Sequence, residues 1–501
     1  MDAFVSAVLG DLASRTLSFI IDRLYCRQVV VEEDLECLRS LLLRIQTIVK
    51  EAEGRHITNQ AMLQQLQMLR EWMYEGNYLL DTFKYQMLQP EGVNDEVSDN
   101  SFALSKLSRR KQLYLSTTTI NMPFDLEEIK KVEQMLGSLK SIIGDMKEFV
   151  TFLKGYPPLC REPYSKHLVL DKCMFGRQSE MERIVNFLLQ EEPLGVESLG
   201  VLPIIGPARV GKSTLVEYVC YDERVRNYFS SIVSFNGSDI ESRNLADIRD
   251  SGVLKHSSGA SATHERLLII IEFLEDAVLD EERWRGLCSS RNFMPPGSKI
   301  IITSRSERFI NLGTVQPLVL KQLPREAFWY FFKVIAFGST NPEEHPLLAV
   351  SNVILTLASI GMEIAVELNG SFTGANIAGA LLRANFCIKF WRRMLKYHRD
   401  CTERHLILFG EHPHTLLQKN QHIYLWGIPP ASQLFIVRDY KTHPSNKDFP
   451  KVMLLDVQTG SAKPHGKFEV LAWRSHIPPY HDYVMSCESR ACKKRSRQKD
   501  V

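Results

Sequence analysis

Apolar positions recur at three- and four-residue spacing through the first third of the chain. Val5, Val8, Leu9, Leu12, Thr16, Ile20 and Leu24 share one stripe. Leu35, Leu38, Leu42, Ile45, Val49 and Ala52 share a second, and Met62, Leu66, Leu69, Met73, Leu80 and Phe83 a third. A fourth, with nearly heptad spacing, runs through Ile129, Val132, Leu136, Leu139, Ile143, Met146, Val150 and Leu153. Each stripe predicts an amphipathic helix that must bury one face, and together they predict a four-helix bundle over residues 1–155. Thr58 or Asn59 is placed to cap the third helix. Residues 90–101 (PEGVNDEVSDNS) are acidic and turn-rich, which reads as a loop. The basic run at 105–112 reads as a solvated face. Nothing in this region groups residues for catalysis, and it suits a docking or self-associating module.

The pattern changes after a Pro-containing linker at 156–174. Short apolar runs at Val201–Ile205, 232–235, Leu267–Ile271 and 297–304 alternate with helical spacing. That order predicts a parallel sheet with ligands at the C-terminal strand ends. Between the first run and the helix starting near Leu215 stands GPARVGKST, which fits G-x-x-x-x-G-K-[ST] in its strand–loop–helix setting. Gly206 and Gly211 let backbone N–H groups turn inward around a phosphate chain, and the helix N-terminus adds its positive end. Lys212 would reach the β- and γ-phosphates, with Ser213 on Mg²⁺ and Thr214 behind it. Glu272 closes the run 267–271, with Glu275 and Asp276 close behind, where a carboxylate holds magnesium, usually through water. Arg305, after the run 297–304, stands where a guanidinium senses a terminal phosphate. These runs equally read as ordinary buried strands, and the two readings are compatible.

Composition narrows the picture. The 501 residues carry a net charge of +2, so nucleic acid is not an expected partner. Asp2 and the lack of a basic n-region speak against a signal peptide, and no apolar run approaches the ~20 residues of a spanning helix. Ten scattered cysteines without a CxxC pair fit a reduced, cytoplasmic setting. Residues 401–490 shift to short β-type runs at 423–426, 434–437, 452–457 and 468–473, which predict a small antiparallel sheet. Glu411-His-Pro-His414 lacks a second ligand cluster and reads as a surface loop rather than a metal site. The basic run within 491–501 reads as a solvated tail and also fits a nuclear import signal.

The order Phe175-Gly176-Arg177, GPARVGKST, an acid-ended hydrophobic strand and GSKIIITSR resembles the NB-ARC module of plant disease-resistance proteins, the intracellular nucleotide-binding immune receptors. Residues 222–229 and 318–338 (LVLKQLPREAFWYFFKVIAFG) are similar to further segments of that module, and residues 1–155 resemble its Rx-type coiled-coil partner. The resemblance implies a molecular switch that rests with ADP and signals with ATP and Mg²⁺. Its N-terminal domain would self-associate or engage other immune receptors. Gly176 and Arg177 would lie near the adenine. The implied layout is a helical domain at 1–155, a linker at 156–174, a nucleotide-binding domain at 175–335, a helical subdomain at 336–400, a β-rich region at 401–490 and a basic tail at 491–501. The chain also departs from the family. The usual pair of aspartates is Glu272 and Phe273, so at most a weak ATPase is expected. Asn369-Gly370-Ser371-Phe372 replaces a Gly-Leu-Pro-Leu motif, and no Met-His-Asp motif or leucine-rich repeat is found. A nucleotide-independent adaptor or regulator of full-length receptors is the alternative, whereas a metabolic kinase lacks any substrate or lid motif.

Overall fold

The computed structural model describes residues 31–86, 126–157, 175–190, 199–237, 253–257, 266–273, 284, 295–338, 351–419, 421–428, 434–444, 452–474 and 481–490. The first apolar stripe, the 90–101 loop, the basic runs, most of the 156–174 linker, Glu275 and Asp276 lie outside the described residues. Contacts divide the chain into two compact units, one of residues 1–55, 68–158 and 346–359, the other of 56–67, 159–345 and 360–501.

Helices at 31–53 (α1), Gln60–Gln86 (α2) and Leu126–Leu153 (α3) follow the stripes. Leu38, Leu42, Ile45, Val49 and Ala52 are buried along α1, and Met62, Leu66, Leu69, Met73 and Phe83 along α2. Asn59 is the cap of α2, its Oδ1 accepting from Ala61 N–H at 2.8 Å. In the first unit, the buried Arg70 pairs with Glu53 at 2.9 Å and ties α2 to α1. The last turn of α3 buries Phe149 rather than Val150. A helix of 3.6 residues per turn drifts off a heptad line within two heptads.

The second unit holds a six-stranded sheet of order β3-β2-β4-β5-β1-β6. Its strands are β1 (Gly200–Ile205), β2 (Ser231–Asn236), β3 (Val253–Ser257), β4 (Leu267–Phe273), β5 (Lys299–Ser304) and β6 (Leu318–Val319). All pairs are parallel except β2 with the edge strand β3. Helix α4 (Gln178–Leu189), α5 (Lys212–Cys220) and α6 (Glu223–Tyr228) accompany it. Alternate strand residues feed two cores. Leu202, Ile204, Leu268, Ile270 and Ile301 pack with Val185 and Leu188 of α4 and Leu215, Val216 and Val219 of α5. Val201, Ile205, Ile269, Ile271, Phe273, Ile300 and Ile302 pack on the other face with Phe309 and Trp284. Burial on both faces is why these strands read as continuous apolar runs rather than alternating ones.

Beyond the sheet come α7 (Arg325–Phe337), α8 (Ser351–Glu367), α9 (Phe372–Ala384), α10 (Ile388–Phe409) and α11 (Pro413–Gln418). Trp391 of α10 is fully buried, lies tilted against Phe337 with ring centroids 5.1 Å apart and donates its indole N–H to Asn385 O at 3.0 Å. Then β7 (Ile423–Trp426), β8 (Leu434–Pro444), α12 (Leu454–Thr459), β9 (Lys467–Arg474) and β10 (His481–Arg490) close the described chain. The strands form an antiparallel sheet of order β7-β8-β10-β9.

This region differs from the sequence reading in three places. Most of the run at 452–457 is the start of helix α12, not a strand, because Leu454 and Val457 share one buried face and Gly460 ends it in a left-handed cap. The inner strand β10 carries Asp482, Ser486 and Glu488 among its apolar residues and so shows no clean apolar run. Buried Asp482 is paired twice with Arg474, at 2.7 Å each. Nor is 411–414 a surface loop. His412 caps α11 by accepting from His414 N–H, and the His414 side chain is buried.

Candidate functional site

The parallel register sets the C-terminal ends of β1, β5, β4 and β2 side by side. Ile205 lies opposite Ser304, Thr303 opposite Glu272, and Glu272 opposite Asn236. The chain leaves β1 at Gly206, whose N–H bonds Ser304 O. A Cβ at Gly206 would sit 2.3 Å from Leu320 O, so only glycine lets the loop leave the sheet here. The loop then turns through left-handed residues at Arg209 (φ 62°) and Gly211 (φ 94°). At Gly211 space is free around a Cβ and the backbone angle alone demands glycine. The turn delivers Lys212 as the first residue of α5.

Lys212 is buried, and its ammonium donates to Gly206 O at 2.7 Å and Pro207 O at 2.8 Å. Burial brings it down to about 8; the Arg305 charge pushes the same way, and Glu272 opposes. Arg305 therefore acts on the same space as Lys212, from the turn directly after β5.

Glu272 reaches this edge through strand alternation. Leu268 and Ile270 face the core that contains α5, and Glu272 continues their row. Exposed at the end of β4, it accepts from Ser213 Oγ at 2.9 Å. Thr214 is half-buried one position along α5. Phe273 belongs to the opposite row and is stacked on Phe309 at 4.5 Å. A second carboxylate directly after Glu272 would therefore lie in the apolar core, away from the loop.

Gly176 and Arg177 open α4 rather than join the loop. Arg177 pairs with Glu180 at 2.9 Å and donates to Lys321 O. Lys321 follows Leu320, whose N–H bonds Ile205 O at 2.7 Å. A short stretch after β6 thus links the 175–177 turn to the base of the loop. Phe175 lies 6.0 Å from Phe331, and Phe372 meets the same ring edge-on at 5.2 Å. This aromatic contact joins α7 to the start of α9, where Asn369 and Gly370 are left-handed and Ser371 caps. The sequence reading marked Phe372 only as a departure from a motif. Its neighbours Phe328 and Phe331, one turn apart on α7, were the available signal.

A buried ammonium at a helix start, an inward-turning loop and a hydroxyl–carboxylate pair at a parallel sheet edge define a P-loop nucleotide-binding protein. Residues 4–114 match the Rx N-terminal domain, and residues 177–341 match the NB-ARC domain. The chain thus carries the Rx N-terminal and NB-ARC domains that mark coiled-coil disease-resistance proteins. It is 24% identical over 414 residues to disease resistance protein RGA2 of Solanum bulbocastanum, covering 80% of this chain and 38% of that one. The putative disease resistance protein RGA1 of the same species is 24% identical over 76% of this chain and 37% of its own. A putative disease resistance RPP13-like protein 1 of Arabidopsis thaliana is 26% identical over 68% and 33%. The match thus spans less than two-fifths of each of these relatives.

Proposed function

We propose that the chain is an ADP/ATP-binding molecular switch in plant innate immunity, signalling or regulating through residues 1–155. The observation that carries this reading is the buried Lys212 ammonium, held at the loop base beside Ser213, Glu272 and Arg305. In this reading Gly206, Gly211 and Lys212 wrap the phosphates, Thr214 supports the turn, Arg305 meets the terminal phosphate, and Gly176 and Arg177 border the adenine. Ser213 Oγ and Glu272 Oε1 are hard oxygen donors 2.9 Å apart, a pair that suits Mg²⁺ with water in its remaining positions. When bound, the metal would offset phosphate charge.

Hydrolysis is weak in this reading. Glu272 is already occupied with Ser213, and Phe273 supplies no base. The nucleotide-binding domain would be 175–335, and 336–400 the helical subdomain that reports its state. Among the described residues no helix is long and apolar enough to cross a membrane, and the proposed compartment is the cytoplasm.

The test is to purify the full chain, denature it and identify what is released. ADP near one per chain is the expected result, with Lys212→Ala empty. A wild-type chain that is empty and has no measurable affinity for ADP or ATP would favour a nucleotide-independent adaptor. Steady-state phosphate release should be slow. Turnover at one per second or faster, lost in Lys212→Ala, would make the protein a working ATPase instead.

A further inference from the structure

A cavity of about 150 Å³ lies among α9, α10, α11, β7 and α12. Four histidines line it: His398, His405, His412 and His414. Two of them are fully engaged. His405 donates from Nδ1 to Cys401 O at 2.7 Å and accepts at Nε2 from Tyr424 N–H at 3.1 Å. His412 donates from Nε2 to Glu367 O at 2.9 Å and accepts at Nδ1 from His414 N–H.

His414 is different. Its Nε2 faces the amide nitrogens of Gln418, at 3.2 Å, and Gln322, at 3.5 Å. An amide nitrogen only donates, so Nε2 accepts and the ring proton sits on Nδ1. That Nδ1 is buried and has no hydrogen-bond partner, as is Nε2 of His398. A buried, unpaired N–H is costly, and native interiors rarely keep one without a use. Among the described residues no group of histidine, cysteine or carboxylate side chains could hold a metal ion.

The remaining walls are largely apolar, with Phe372, Leu381, Met394 and Met485 among them. Burial drives all four imidazoles toward the neutral form, His398 and His414 to about 4. The same desolvation would penalise a charged occupant. The volume matches that of an apolar cavity that holds one benzene ring. We propose that this cavity binds a small, uncharged, ring-sized molecule whose carbonyl oxygen accepts the hydrogen bond from His414 Nδ1. Of the phosphate loop only Arg209 reaches these walls; Lys212 and Ser213 do not. The cavity therefore adjoins the phosphate loop through Arg209 without including Lys212 or Ser213, and the proposal does not rest on the switch reading.

The test uses the full chain and two probes of nearly equal shape, acetophenone and ethylbenzene, which differ in the acceptor oxygen. Ligand-observed saturation-transfer NMR, with saturating ADP present throughout, is expected to give acetophenone a Kd at least tenfold below that of ethylbenzene. In His414→Phe the two probes should bind alike. If that variant does not fold, the wild-type pair decides alone. No transfer from either probe at millimolar concentration, or equal affinity for both in the wild type, would overturn the proposal. So would an acetophenone signal seen only in a parallel sample without ADP, because that result places the probe in the nucleotide cleft.

Discussion

Burial and the Arg305 guanidinium bring the Lys212 ammonium down to about 8, against an ordinary value of 10.5. Phosphate oxygens would raise it again, so nucleotide binding and proton binding are linked at this one group. The unliganded lysine is mostly charged at pH 7 and mostly neutral at pH 9. Only the charged form pairs with phosphate, and affinity must therefore fall as pH rises through 8. Titration of ADP by calorimetry should show binding about tenfold weaker at pH 9 than at pH 7. Lys212→Met should bind more weakly at both values and lose the slope. A wild-type affinity flat across that range would show that the ammonium does not touch the phosphates. Ser213 and Glu272 answer to the metal instead. Glu272→Gln should reduce the gain in affinity that Mg²⁺ gives while leaving stability within about 0.5 kcal/mol, because residue 272 is exposed.

At the scale of the element, β4 shows how alternation assigns one residue to chemistry and the next to packing. Glu272 lies in the row of Leu268 and Ile270; Phe273 lies with Ile269 and Ile271, stacked on Phe309. Restoring a paired carboxylate by Phe273→Asp would bury a charge without a partner and remove an aromatic ring. The expected cost is about 4 kcal/mol by denaturant unfolding, with no gain in phosphate release. The histidines of α10 and α11 give a second element-level expectation. His398 and His414 titrate near 4 in the fold, below the ordinary 6.5, because burial disfavours their charge, with His412 adding to it for both and Arg209 for His414. The unfolded chain therefore takes up protons that the fold excludes. Stability is full above about pH 6.5 and falls as pH drops toward 4, by about 3 kcal/mol for each histidine. Denaturation midpoints between pH 7 and 4.5 should fall steeply in the wild type and less so in His398→Phe/His414→Gln.

Over the whole molecule, legibility followed the distance over which a pattern is set. The phosphate loop and β1, β4 and β5 were readable because burial on both faces makes each strand one apolar run, and because Gly206 and Gly211 answer to local backbone demands. The helices at 31–53, 60–86 and 126–153 were readable for the same local reason. What escaped depends on residues far apart in sequence. Leu320 O against Gly206, Arg177 on Lys321 O, and His414 between Gln322 and Gln418 have no signature in either partner alone. β10 escaped because its buried Asp482 is made acceptable by pairing with Arg474 of β9. The nucleotide site gathers its parts from β1, α5, β4 and the turn after β5, so a ligand there should stabilise that whole stretch at once. ADP at a hundredfold over its Kd contributes about 2.7 kcal/mol to any state that keeps the loop formed and nothing to states that lose it. Hydrogen exchange should then slow about a hundredfold at amides of β1, α5 and β5 whose exchange requires opening of this sheet. Frayed positions that open locally should not change, and Lys212→Ala should show no slowing anywhere. If ADP protected only residues 206–214 and left β4 and β5 untouched, the loop would be opening independently of the sheet. The coupling from Ser213 through Glu272 to β4 would then be too weak to carry a switch.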